Sequence, residues 1–148
     1  MNRIMFVCHG NICRSTMAEY VMQHLVNEQG KASDFHIASS GTSREEIGSD
    51  VHYGTRRKLN EEGIHVGHRA ATQFTIADYH SFDHIVAMDE QNVRNILRII
   101  GSDSEHKVTK LLDWANENRS IADPWYTGNF NETFHDVMKG CQAMISNL

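Results

Sequence analysis

Cys8-His9-Gly10-Asn11-Ile12-Cys13-Arg14-Ser15 gathers two thiols, a glycine, a guanidinium and a hydroxyl into one short stretch. Those types at that spacing suit attack on a phosphorus atom. A thiolate is a strong nucleophile, and an arginine holds two phosphate oxygens at once through parallel N–H groups. Gly10 lets the backbone approach a ligand closely or take a positive φ. Asn11 can brace the loop with its amide, and Ser15 can donate its hydroxyl to the Cys8 thiolate; the plainer reading of both is turn and cap chemistry. His9 and Ile12 fill the remaining positions, and phosphate or another oxyanion is the ligand expected in this loop.

Asp123-Pro124 is the second chemical feature. A thiolate that displaces a phosphate must expel an alkoxide or a phenolate, and phenol has a pKa of about 10. A positioned carboxylic acid that protonates the leaving oxygen contributes roughly 10²–10⁴-fold, and its carboxylate then activates water. Pro124, the chain's only proline, stiffens the segment that presents Asp123. Alone, an Asp-Pro pair marks a turn. Beside the Cys8 loop it is a candidate acid and base.

These residues need elements to aim them. Ile4-Met5-Phe6-Val7 reads as a buried strand within residues 3–7, and residues 16–28 read as a helix with Met17, Val21, Leu25 and Val26 on one face. Thr16-Met17-Ala18-Glu19 fits a capping box, and Gly30 ends the segment. The Cys8 loop therefore lies between a strand end and a helix start, where backbone N–H groups converge on an anion. Further strands are expected at residues 35–38, 84–88 and 108–112. Helices are expected at residues 51–62, after Asp89, and along the stripe Phe134, Val137, Cys141, Met144, Ile145 and Leu148. This alternation predicts an α/β fold, a small central four-stranded parallel sheet flanked by helices on both faces, with the phosphate loop after the first strand.

The 148 residues suffice for a single domain with one good core. Lys and Arg number 14 against 19 Asp and Glu, a net charge of −5, which offers nothing to a nucleic-acid backbone. The first apolar run is too short for a signal core or a membrane span, so no membrane partner and a cytoplasmic location are expected. Three cysteines are too few and odd in number for a secreted disulfide framework. A zinc set written from Cys8, Cys13, His65 and His68 has histidines spaced too closely for a zinc finger, so no metal and no other cofactor is expected.

Cys8 to Ser15, Ser39-Ser40-Gly41-Thr42, Met88-Asp89-Glu90 and Asp123-Pro124-Trp125-Tyr126 occur in the order found in low-molecular-weight protein tyrosine phosphatases, which the chain resembles from residue 3 to about residue 145. The resemblance implies hydrolysis of phosphotyrosine in protein substrates through a phosphocysteine. Cys8 would be the nucleophile, Arg14 the phosphate-binding residue and Asp123 the general acid and base. It further implies that Cys13 forms a reversible disulfide with Cys8, against the plainer reading of a buried filler. It also implies that Glu19 and His68 pair under the loop, while Cys141 reads as packing.

The chain departs from the family in several places. Thr16 stands where the helix usually begins with proline, and His52 and Gly54 replace an Asp and an Arg. Glu45 stands where an aromatic residue commonly forms one wall of the substrate crevice; Trp125 and Tyr126 form the other, with Tyr53 a further candidate. Two rival readings remain: a protein-arginine phosphatase of the same fold, and a phosphotyrosine-binding module without turnover. The arginine phosphatases carry Thr at the position of Ile12, whose apolar bulk favours a flat aromatic ester. A non-hydrolysing module would be expected to lose Cys8, Arg14 or Asp123. A thioredoxin-linked arsenate reductase needs two further cysteines after the third strand, and none appears there before Cys141.

Overall fold

A computed structural model describes residues 1–148. Four strands form one parallel sheet: β1 (Asn2–Cys8), β2 (Phe35–Gly41), β3 (His84–Ala87) and β4 (Val108–Lys110). The helices are α1 (Arg14–Glu28), α2 (Tyr53–Glu61), α3 (Ile76–Ser81), α4 (Glu90–Ile100), α5 (Pro124–Thr127) and α6 (Phe130–Ser146). Short 3₁₀ turns occupy Ala32–Asp34 and Leu111–Ala115.

The apolar alternation of β1 divides the core in two. Ile4, Phe6 and Cys8 point to one face, where α1 and α6 pack with Met17, Val21, Val137 and Met144. Met5 and Val7 point to the other, covered by α3 and α4 through Tyr79 and Ile96. Both faces are thus dry, as a parallel sheet requires.

Strand order is β2-β1-β3-β4, so the chain leaves β1 to one side and later returns to the other. Beyond the carboxyl end of β1 the two crossovers diverge and open a crevice. The Cys8 loop occupies it.

Several boundaries differ from the sequence reading. The first helix begins at Arg14, not residue 16, and its cap residue Cys13 uses no side chain to satisfy it. Thr16 Oγ1 instead donates back to the Cys13 carbonyl at 3.0 Å, so the expected capping box does not form. β4 stops at Lys110, because Leu111 and Leu112 both enter the same core cluster. A strand would send them to opposite faces, and the 3₁₀ turn does not. Gly140 of α6 is what admits Leu111: a Cβ there would lie 2.4 Å from Leu111 Cγ. α6 starts at Phe130, a turn earlier than its apolar stripe indicates, with Asn129 accepting from the Glu132 N–H as its cap.

Candidate active site

The loop after β1 is held from behind. The carbonyls of Cys8, His9 and Ile12 accept from the N–H groups of Thr42, Ser43 and His52 at 2.9, 3.0 and 2.9 Å. The Cys13 carbonyl takes the hydroxyls of Thr16 and Thr55. With the carbonyls drawn outward, the N–H groups of Gly10, Asn11, Ile12 and Cys13 are used by no other part of the chain. They lie just before the start of α1, an arrangement with the chemistry to bind an anion.

The left-handed turn that shapes this nest falls on Asn11, with φ 61°, not on Gly10. Asn11 tolerates it because its amide is fully used. Nδ2 donates to Ser15 Oγ at 2.8 Å and Ser39 Oγ at 3.0 Å, while Oδ1 accepts from Arg69 Nη2 at 2.8 Å and the Thr72 N–H at 3.1 Å. The glycine that close packing demands is Gly41 at the end of β2, where a Cβ would sit 2.7 Å from the His9 carbonyl.

Arg69 and Ser39 were not visible as site residues in the sequence. Arg69 reaches Asn11, Ser39 and Glu19 together, and so takes the place expected of His68. The Glu19–His68 pair does not exist: His68 is exposed and bonds Asp50 at 2.6 Å. A guanidinium with several N–H groups satisfies three acceptors that one imidazole could not.

Cys8 lies at the floor, 3 % exposed, with Sγ 3.0 Å from Ser15 Oγ. As a thiol Cys8 donates to that oxygen; as a thiolate it can accept from the hydroxyl instead. Arg14 is equally buried, and its Nη1 donates to Asp89 Oδ2 at 2.8 Å and the Ile121 carbonyl at 2.9 Å. Nη2 approaches Asp123 Oδ2 at 3.4 Å. Burial opposes the charge on Arg14, but Cys8, Asp123 and Asp89 together hold its pKa above the ordinary value. In the sequence Asp89 stands as the residue before the fourth helix and within the Met88-Asp89-Glu90 motif, and the structure makes it the cap of α4. Its second task needed the β3 end to be brought beside the loop.

Asp123 caps α5, accepting from the Trp125 N–H at 3.0 Å, and the Ile121 N–H ties this segment to the Met88 carbonyl at 2.9 Å. The residues Cys8, His9, Gly10, Ile12, Cys13, Arg14, Glu45, Glu46, Asp123, Trp125 and Tyr126 line one cavity of about 130 Å³. Glu45 does stand at its rim, bonded to His9 Nε2 at 3.2 Å. Glu46, absent from the sequence reading, lies beside it, anchored by the Ser49 hydroxyl at 2.8 Å. Tyr53 is not part of the lining: it is 75 % exposed and stacks outside on His52.

Cys13 is buried in the same cavity wall, and its thiol pKa is pushed up to about 12 by burial, then by the nearby charges of Cys8 and Asp123, with Arg14 opposing. Cys141 is fully buried on α6, and burial drives its pKa up as well. No group of three or more His, Cys, Asp and Glu side chains is close enough to share a metal ion. No helix is long and apolar enough to cross a membrane.

The chain that builds this site is similar to known proteins along nearly its whole length. The family described as low molecular weight phosphotyrosine protein phosphatase matches residues 3–148. The low molecular weight protein-tyrosine-phosphatase YfkJ of Bacillus subtilis is 33 % identical over 150 residues, covering 100 % of this chain and 96 % of that one. Its crystal structure superposes with a TM-score of 0.94 over 99 % of this chain and 94 % of its own, at 34 % identity. The phosphatase PtpA of Staphylococcus epidermidis is 38 % identical over 146 residues, 98 % of this chain and 92 % of that protein. A Drosophila arginine phosphatase shares the fold at a TM-score of 0.89 but only 24 % identity, covering 99 % of this chain and 97 % of its own. The chain belongs to the low molecular weight protein-tyrosine-phosphatase family.

Proposed function

We propose that this protein hydrolyses phosphotyrosine in protein substrates through a phosphocysteine intermediate. The observation that carries the reading is the convergence of Cys8, Arg14 and Asp123 on one cavity lined by Ile12, Trp125 and Tyr126. The phosphoryl dianion enters the nest, where the loop N–H groups and Arg14 hold its oxygens. The Cys8 thiolate attacks phosphorus, the P–O bond to the tyrosyl ring breaks, and the Asp123 carboxyl gives its proton to the departing phenolate oxygen. Asp123, now a carboxylate, takes a proton from water as that water attacks phosphorus. The S–P bond breaks, phosphate leaves, and Cys8 returns as a thiolate held by the Ser15 hydroxyl.

Ile12 and the indole of Trp125 favour a flat aromatic ester over a polar phosphoguanidine, which sets this reading above an arginine phosphatase. Retention of all three chemical residues sets it above a binding module without turnover. The test is release of phosphate from matched phosphotyrosine and phosphoarginine peptides. Turnover of the first and not the second is expected; the reverse preference, or stoichiometric binding of either without turnover, overturns it.

The resemblance to the family assigns Cys13 a second task. Peroxide would place one oxygen on Cys8 as a sulfenic acid, and the Cys13 thiol would condense with it, releasing water and forming a disulfide. A cytoplasmic location fits the odd count of three cysteines, which suits no secreted disulfide framework.

A further inference from the structure

His52 is the residue that links the phosphate loop to the acid-bearing segment, and no chemistry has yet been assigned to it. Its N–H donates to the Ile12 carbonyl at 2.9 Å, which fixes it to the loop. Its Nδ1 accepts from the Gly54 N–H at 3.0 Å, which caps α2. The ring is stacked by Tyr53 on one side, at 4.5 Å and 27°, and by Phe130, at 5.5 Å and 15°. Trp125 meets the same ring edge-on at 5.6 Å and 71°.

Trp125 and Phe130 bracket the exposed stretch that follows Asp123, so both ends of that stretch rest on one imidazole. Gly54 makes the seat: a Cβ there would lie 2.3 Å from Phe130 Cζ, so the tip of that ring packs against bare backbone. Burial holds the His52 pKa below the ordinary histidine value against the pull of Asp123 and Glu46. A neutral ring is what the capping bond needs, since a protonated Nδ1 cannot accept.

We propose that His52 is a positioning residue for the acid segment, its ring fixing through Trp125 and Phe130 where Asp123 stands above the phosphate loop. It touches neither substrate nor the reacting atoms. The proposal rests on Asp123 being the general acid.

Two variants separate the ring from the cap. His52→Asp keeps an acceptor for the Gly54 N–H and removes the ring; His52→Phe keeps a ring and removes the acceptor. The measurement is kcat/KM for phenyl phosphate and for p-nitrophenyl phosphate, whose leaving group departs without needing a proton. His52→Asp is expected to lose about tenfold on phenyl phosphate and less than about twofold on the nitrophenyl ester, the signature of a misplaced acid. His52→Phe is expected to keep the wild-type ratio. Equal losses on both esters in His52→Asp overturn the proposal, as does a His52→Phe enzyme that shows the altered ratio while His52→Asp does not. Should His52→Asp fail to fold, Phe130→Leu removes the stacking partner and must show the same shifted ratio, or the proposal falls. Asp123→Asn is run alongside. If wild type hydrolyses neither ester, the phosphatase reading fails and takes the proposal with it. If Asp123→Asn leaves the ratio unchanged, it is the acid assignment that fails. If Asp123→Asn shifts the ratio and His52→Asp does not, the His52 role alone is refuted.

Discussion

From Asn11 to Ser15 every residue of the phosphate loop is buried, whereas Glu45, Trp125 and Tyr126 stand in solvent around the same cavity. The loop's shape is set many times over. Asn11 makes four hydrogen bonds, Arg69 ties three elements together beneath it, and the loop carbonyls are anchored to the segments after β2 and around α2. The rim is set by a handful of contacts: a His9–Glu45 bond at the surface and the rings around His52. A nest that must match the transition state has no freedom to spare, since a displacement of about 1 Å can cost about 10²-fold in rate. The rim makes few such contacts, so its composition can change without disturbing the loop below. The resemblance to the family leads one to expect an aromatic wall where Glu45 stands at this rim.

If this division holds, substitutions should lose effect with distance from the loop floor. Cys8→Ser removes the nucleophile and is expected to lower kcat by about 10⁴-fold or more while phosphate still inhibits with an unchanged constant, since the nest is backbone and Arg14. Residual turnover within tenfold of wild type would remove Cys8 from the role. Asn11→Ala strips the amide from a left-handed residue and leaves Arg69 without one acceptor. A fall of about 10²-fold in kcat together with a loss of about 2–3 kcal/mol in stability is expected, read from steady-state kinetics and urea unfolding. A stable variant with full activity would show that the loop is less tightly determined than its bonds imply.

Asp123→Asn should cost about 10²-fold in kcat/KM on phenyl phosphate and about tenfold or less on p-nitrophenyl phosphate. Cys13 has a smaller expected effect. Its thiol, held at about 12 by burial and the Cys8 and Asp123 charges, stays protonated at neutral pH and should resist iodoacetamide in the folded protein. Cys13→Ser should leave turnover near wild type but slow recovery by thiol reductants after mild peroxide, and mass spectrometry of the oxidised wild type should show a Cys8–Cys13 bridge. Equal recovery in the two proteins would dismiss the disulfide. Smallest of all is Glu45→Gln, expected to raise kcat/KM for acidic phosphopeptides relative to basic ones by about two- to fivefold at low salt, a gain that fades as salt screens the rim. A ratio that does not move, or moves equally at both salt concentrations, would deny Glu45 a part in substrate choice.

Much of the fold was legible because its signals are local. Ile4-Met5-Phe6-Val7, the helical spacing after Asp89 and the turn residues between them report their own conformations within a few residues. The errors lay where a distant element decided. Leu111 left the strand because α6 opened a pocket at Gly140, and the first helix began at Arg14 with no side-chain cap at Cys13, the Met17 N–H closing its first turn on the Cys13 carbonyl.

The site divides along the same line. Sequence alone determined the set of chemical groups: a thiol, five intervening residues, an arginine and a serine between a strand end and a helix start, with an Asp-Pro far along the chain as the proposed acid. The loop residues lie close in the chain, so type and spacing suffice for them, while Asp123-Pro124 gained its meaning only beside that loop. Tertiary structure decided which side chains hold them. Asp89, Arg69, Ser39 and Glu46 join the site from segments dozens of residues away, and His68 and Tyr53 fall outside it. A single sequence records what each side chain can bond, but the choice of partner belongs to the crossovers of the sheet, which bring the ends of β1, β2 and β3 to one crevice.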